Sequence, residues 1–317
     1  MKKDMIPRTA KEVFRLGTRT SRLALQQAQW VKARLEGDHP GIEVRLVHIK
    51  TQGDKLDIPL FRVGGKGLFV KEIEEALQRQ EVDLAVHSGK DLPAAIPEDL
   101  ALLAFPLRED PRDVLISRDG KKWAQMPRGG KIGTGSLRRR AQLLAMRPDL
   151  EIVPLRGNLD TRIQKIETLG LDGLVVAAAG LRRMGWEDRI TEYFAPEQIL
   201  PAIGQGTLAI EGRRGDERTR LLVEPLNSPD TAKCLGAERS FLARLGGGCQ
   251  VPIAGWARLE GDLIHLRGLV ASPDGRSIIK GERIGPAEDY LTLGQSLAEE
   301  LLSRGAGEIL KEAYGGE

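Results

Sequence analysis

The sequence predicts an α/β protein built as two similar halves facing each other across a cleft, followed by a smaller α+β domain. Three observations lead there. One strand–Gly-Thr–Ser–helix device appears twice, as Leu16-Gly17-Thr18 leading to Ser21 and as Ile132-Gly133-Thr134 leading to Ser136. Around each copy, apolar runs that end in glycine or turn residues alternate with segments of helical period. Residues 251–285 then change character to short alternating strands with turns at Gly261-Asp262 and Pro273-Asp274-Gly275, which reads as a three-stranded meander.

Residues 13–17 form the first strand. Ala24, Ala28, Val31 and Leu35 then share one helical face, with Ser21 as N-cap and Gly37 as stop. Residues 42–49 are rich in β-formers and complete a β-α-β unit, whose helix start offers free N–H groups and a positive dipole end. Arg19, Ser21 and Arg22 sit there, which fits an anion site and a plain capped helix equally. Residues 51–69 show turn residues and no period, the mark of a long binding loop or lid. Its Gly64-Gly65-Lys66-Gly67 lacks the spacing of a nucleotide-binding P-loop. The next helix carries Phe69, Ile73, Ala76 and Leu77 on one face.

An apolar strand at 82–86, interrupted by Asp83, ends at His87-Ser88-Gly89-Lys90-Asp91. Ligands of α/β sheets bind beyond the carboxyl ends of strands, so Lys90 and Asp91 stand at the expected ligand edge. The pattern restarts near 106–112. Strands are expected at 113–118, 131–135, 151–155 and 173–177, and residues 200–206 return the chain to the first half. Residues 229–245 and 287–314 read as helical.

Composition narrows the function classes. At 317 residues the chain has room for two or three domains of about 150 residues. With 48 basic against 45 acidic residues and only 4% aromatics, a nucleic-acid binder is disfavoured. Cys234 and Cys249 make no CxxC pair, and four scattered histidines make no metal signature. The first residues carry no apolar export segment, and no apolar run reaches membrane-spanning length, so a cytoplasmic chain is expected.

Arginine is placed rather than abundant. Arg138, Arg139 and Arg140 open one helix, Arg156 follows a strand, Arg162 lies in the next helix, and Arg182 and Arg183 follow another strand. Cations in a helix's first turn oppose its dipole, and a polyanionic ligand would account for them. Guanidinium forks match carboxylates bidentately. Cys249 follows Gly246-Gly247-Gly248, a backbone able to lie close to something bulky. On residue type alone a free cysteine is more often a small core residue.

In order along the chain come TRTSRLAL at 18–25, VGGKGLFVKEIE at 63–74 and AVHSGKDLP at 85–93, then IGTGSLRRRAQL at 132–143, LRGNLDTR at 155–162, PAIGQGTLAIE at 201–211 and GGGCQVPI at 246–253. From about residue 14 to near its end, the chain resembles the porphobilinogen deaminase family on these motifs. The resemblance implies two periplasmic-binding-protein-like (type 2) domains around a cleft plus a smaller α+β C-terminal domain. Their expected bounds are 1–106 with 207–226, 107–206, and 227–317, with 51–67 as lid. It implies a monomeric transferase that joins four porphobilinogen molecules head to tail, losing ammonia and releasing hydroxymethylbilane, without nucleic-acid or membrane partners.

The resemblance also implies a dipyrromethane cofactor held by a thioether to Cys249, with Asp91 as the catalytic residue. Lys90, Asp91, Ser88, Thr134, Ser136, Arg138, Arg139, Arg162, Gln205 and Gly206 match cofactor-binding positions. Arg19, Ser21, Arg62, Lys66, Phe69, Arg156 and Arg183 match substrate-binding ones. Arg62 replaces a lysine usual in the family, Gly89 a larger apolar residue whose loss would loosen the backbone before Lys90, and Gly135 a serine. Two other classes compete on the residues alone. A two-lobed carboxylate-binding module explains the duplicated halves but not Cys249, and a polyanion binder is at odds with the near-neutral charge.

Overall fold

The computed structural model describes residues 11–55, 67–247 and 251–315. In the first lobe β1 (Glu12–Arg19) and β2 (Ile42–Ile49) run parallel in one-to-one register, joined through α1 (Arg22–Asp38). β3 (Leu84–Ser88) lies parallel on the other side of β1, and β4 (Leu100–Ala104) forms the far edge. Between β3 and β4 runs a strand from much later in the chain, β10 (Leu208–Arg213), antiparallel to both. The order is β2-β1-β3-β10-β4.

The second lobe repeats this plan. Its strands are β5 (Asp113–Ser117), β6 (Lys131–Gly133), β7 (Glu151–Val153), β8 (Gly173–Ala177) and β9 (Glu192–Tyr193), in the order β7-β6-β8-β5-β9. Here the antiparallel fourth strand is β5, the first one the chain makes in this lobe. The two lobes therefore exchange their crossing strands, which is the type 2 periplasmic-binding-protein plan. The chain passes between them twice, at 105–112 and 200–207.

The packing follows from the sequence pattern. Strands covered on both faces read as apolar runs, and β8 is buried at every position. Helix α1 lays Ala28, Val31 and Leu35 against Phe14, Leu16 and Val44. Ser21 caps it by accepting from the Ala24 N–H, but the helix continues through Gly37 to Asp38, so Gly37 is not its stop. A one-turn helix α2 (Gln52–Lys55) opens the segment expected to be irregular. In α3 (Lys71–Gln78) Ile73, Ala76 and Leu77 are buried, whereas Phe69 falls in the turn before it. The edge strands β4 and β9 are not expected from sequence: β9 has only two residues, and the apolar Leu-Ala-Leu-Leu-Ala of β4 has neither alternation nor β-branched residues to separate strand from helix.

The remaining helices of the lobes are α4 (Leu137–Met146), α5 (Leu159–Thr168), α6 (Ala178–Arg183) and α7 (Glu217–Val223). The C-terminal domain opens with α8 (Pro229–Arg244). The expected meander follows as β11 (Ile253–Glu260), β12 (Leu263–Ala271) and β13 (Ile278–Pro286). Helices α9 (Tyr290–Leu301) and α10 (Gly307–Gly315) close it, with the break between them at Gly305, where φ is +96°. Phe241 of α8 is its central buried side chain. This domain grips the lobe crossings through Glu238, which accepts from Arg108 at 2.5 Å, from the Gly204 N–H at 2.7 Å and from the Ala257 N–H at 2.8 Å. No helix among the described residues is long and apolar enough to cross a membrane.

Candidate functional site

The carboxyl end of β3 runs into a 3-10 turn at Gly89–Asp91. The Gly89 N–H donates to the Thr207 carbonyl at 2.8 Å, and a Cβ at Gly89 would lie 3.0 Å from the Gly204 oxygen. Gly204, at φ +69°, would place a Cβ 2.7 Å from the Gly89 carbonyl carbon. Two bare backbones thus meet directly, and the turn is held rather than loosened by Gly89, contrary to the expectation from its small size.

Arg19, at the end of β1, reaches this turn. One of its guanidinium nitrogens is 3.8 Å from Asp91 Oδ2, and its plane lies over the Phe69 ring at 4.2 Å. Ser88 exchanges hydrogen bonds with the Gln27 amide of α1. These groups, with His87, line a cavity of about 20 Å³.

The second lobe brings its Gly-Thr–Ser device to the same cleft. Ser136 caps α4, accepting from the Arg139 N–H at 3.4 Å, and its own N–H donates to buried Thr134 Oγ1 at 3.3 Å. Arg138 and Arg139, only 4% and 5% exposed, meet a carboxylate that sequence reading missed. Fully buried Asp113 accepts from Arg138 at 2.7 Å, from Arg139 Nε at 2.8 Å and from Gln205 Nε2 at 2.9 Å. Gln205 Oε1 in turn accepts from both arginines. The first-turn arginines therefore have an internal counter-charge and do not by themselves require a ligand. An acidic residue opening the apolar run Asp113-Val-Leu-Ile was the available signal, since a buried carboxylate needs a partner.

Burial alone would raise the Asp113 pKa, but the charges and hydrogen bonds of Arg138 and Arg139 hold it well below the usual carboxylate range. Lys90 is pushed down to about 8 by burial and by Arg139, against the pull of Asp91 and Asp113, with Arg162 adding to the push. Arg162 falls to about 10 through burial, Arg139 and Arg156, opposed by Asp91, and its Nε donates to the Gly157 carbonyl at 2.8 Å. Arg183 donates to the Gly206 carbonyl at 2.6 Å, and burial lowers it to about 10 despite Glu109. Cations from both lobes are thus close enough to destabilise one another's charge, which an arriving polyanion reverses. The enclosed Arg138 Nε has no partner among the described residues.

Cys249, Lys66 and Arg62 lie outside the described residues. Gly247 and Val251, on either side of the cysteine loop, are both buried at the entrance to the C-terminal domain.

Comparison with known proteins agrees along most of the chain. The family model described as porphobilinogen deaminase, dipyromethane cofactor binding domain, matches residues 14–221. The model for the porphobilinogen deaminase C-terminal domain matches residues 232–303. The sequence is 54% identical over 306 residues to the porphobilinogen deaminase of Geotalea uraniireducens, covering 96% of each chain. It is 55% identical over 298 residues to that of Syntrophotalea carbinolica, covering 94% of this chain and 95% of the other. Among solved structures, the methionine binding protein MetQ aligns over 70% of this chain and 92% of its own, at 13% identity and a TM-score of 0.45.

Proposed function

The chain belongs to the porphobilinogen deaminase family and carries out its transferase reaction in tetrapyrrole synthesis; on that premise we propose how its residues divide the work. The reaction joins four porphobilinogen molecules head to tail with loss of ammonia and yields linear hydroxymethylbilane. Every porphobilinogen brings an acetate and a propionate, and carboxylates taken into a cleft need fixed cations. The observation that carries the assignment is the clustering of cations from both lobes around Asp91, Lys90 from the first and Arg162 and Arg139 from the second.

Cys249 holds the dipyrromethane cofactor through a thioether, a bond that does not exchange as a disulfide does. When bound, this cofactor supplies the pyrrole carbon to which the first substrate is joined. Arg139, Arg162 and Lys90 face its carboxylates, Ser88, Thr134 and Ser136 add neutral donors, and Arg138, Gln205 and Gly206 form the floor beneath. Arg19, Arg156 and Arg183, with Arg62, Lys66, Ser21 and Phe69, receive the substrate's side chains. Asp91 accepts hydrogen bonds from pyrrole N–H groups, stabilises positive charge developing as ammonia leaves, and holds the proton released on condensation.

In the same reading the chain works as a cytoplasmic monomer on a small-molecule substrate, without nucleic acid or membrane. Light scattering that gave more than one chain per particle would contradict the monomer. The decisive experiment is the denatured intact mass of the purified protein beside a Cys249→Ser control. An excess of two linked pyrrole units, absent from the control, is expected. An unmodified mass that stays unchanged after incubation with porphobilinogen refutes the covalent cofactor and leaves a two-lobed carboxylate-binding module.

A further inference from the structure

Beneath the Ser88–Asp91 turn lies a group of buried titratable side chains with no part in the scheme above. His87 of β3 is 4% exposed, and its Nε2 stands 2.8 Å from Oε2 of Glu211, a fully buried residue of β10. Glu74 of α3 comes third. Its carboxyl is pushed up to about 7, first by burial and then by Glu211, with His87 opposing. One oxygen of each carboxyl, Glu74 Oε1 and Glu211 Oε1, is enclosed and without a partner among the described residues. Arg239 of α8, near enough to Glu211 to feel its charge, donates to the Ala94 carbonyl at 3.0 Å.

Fold stability is a poor reason for this arrangement, because well-packed apolar residues replace buried ionic groups at little cost. Position separates the group from an ordinary buried pair. His87 lines the same cavity as Asp91, together with Arg19, Ser88 and Gln27. At about 20 Å³ that cavity has room for one water, and its lining offers more than the two polar partners a buried water needs.

We infer that His87, oriented by Glu211 and backed by Glu74, is a positioning residue that takes the reaction's proton from Asp91 through one water in this cavity. The inference rests on Asp91 being the acid–base group. In each condensation the porphobilinogen C–N bond breaks, its electron pair leaving with ammonia; a ring carbon of the growing chain gives a π pair to the freed methylene, forming the new C–C bond, and then loses its proton while the C–H pair restores the ring. Asp91 receives that proton on a carboxylate oxygen. The cavity water takes it and delivers another to His87 Nδ1, and it passes to solvent before the next cycle. Glu211 Oε2 accepts from Nε2–H. That bond sets the tautomer, leaves the lone pair on Nδ1 and stabilises the imidazolium.

The test compares the holoenzyme with His87→Gln and Asp91→Asn across pH, after intact mass shows equal cofactor loading. Glutamine can still donate to Glu211 but takes no proton. For His87→Gln we expect kcat about tenfold lower, KM for porphobilinogen within about twofold, and loss of one limb of the kcat–pH profile. In histidine-labelled wild-type holoenzyme, nitrogen chemical shifts should place the His87 proton on Nε2. A wild-type kcat–pH profile in loaded His87→Gln overturns the inference, as does a fall in kcat that is the same at every pH. If that variant does not fold, the tautomer decides, and a proton on Nδ1 is equally fatal. Failure of the Asp91 assignment is distinguishable, because Asp91→Asn would then keep wild-type kcat.

Discussion

Replacing Asp113 with asparagine should destabilise the second lobe more than any exposed ion-pair substitution. The side chain is fully enclosed and accepts from Arg138, Arg139 and Gln205 at 2.7–2.9 Å. Asparagine keeps one acceptor oxygen but turns an NH₂ group toward a guanidinium, so one arginine faces a donor and both lose their counter-charge. Removing one partner of a buried pair costs about 3–5 kcal/mol. At about 2–4 °C per kcal/mol for a unit the size of the two lobes together, the midpoint should fall by roughly 10 °C. Circular dichroism melts of wild type and Asp113→Asn at pH 7 measure this.

The pH dependence gives a second reading of the same pair. Because the folded pKa of Asp113 is held below its unfolded value of about 3.9, its stabilisation is complete above that value. It is lost as pH falls toward the folded pKa. The gap between wild type and variant should therefore be constant from pH 7 to 5 and narrow below about 4. A midpoint difference under about 2 °C at pH 7, or a gap that widens on acidification, refutes the counter-charge role.

Two further outcomes follow from the cleft. Gly204→Ala puts a methyl group 2.7 Å from the Gly89 carbonyl carbon and 3.0 Å from the Lys90 nitrogen, in a backbone region that costs an L-residue about 1–2 kcal/mol. It should lower kcat at least about tenfold by displacing the Lys90–Asp91 turn, and wild-type kcat with an unchanged melt would show that the contact is slack. In cofactor-free Cys249→Ser protein, Lys90, with its pKa near 8, should acylate ahead of ordinary lysines near 10.4 when labelled at pH 8. Reactivity equal to the surface lysines would count against the clustered cations.

Much of the molecule was open to sequence reading because it depends on local rules. The helix start at Ser21, the strand ends before Lys90 and Ser136, and the meander of β11–β13 each follow from periodicity and turn chemistry within a few residues. The ordered motifs named the family, and with it the expected roles of Cys249 and Asp91. Other features depend on partners distant in sequence, and only the tertiary structure could assign them. Arg138 and Arg139 looked like ligand-seeking cations until Asp113 and Gln205, from two separate crossings, arrived beneath them. Gly89 looked loosening until Gly204 packed against it. His87, Glu211 and Glu74 have no shared spacing, yet two strands and a helix bring them into one buried group. Periodicity reports which face of an element is buried, while the charge that a buried group meets there is set by the fold.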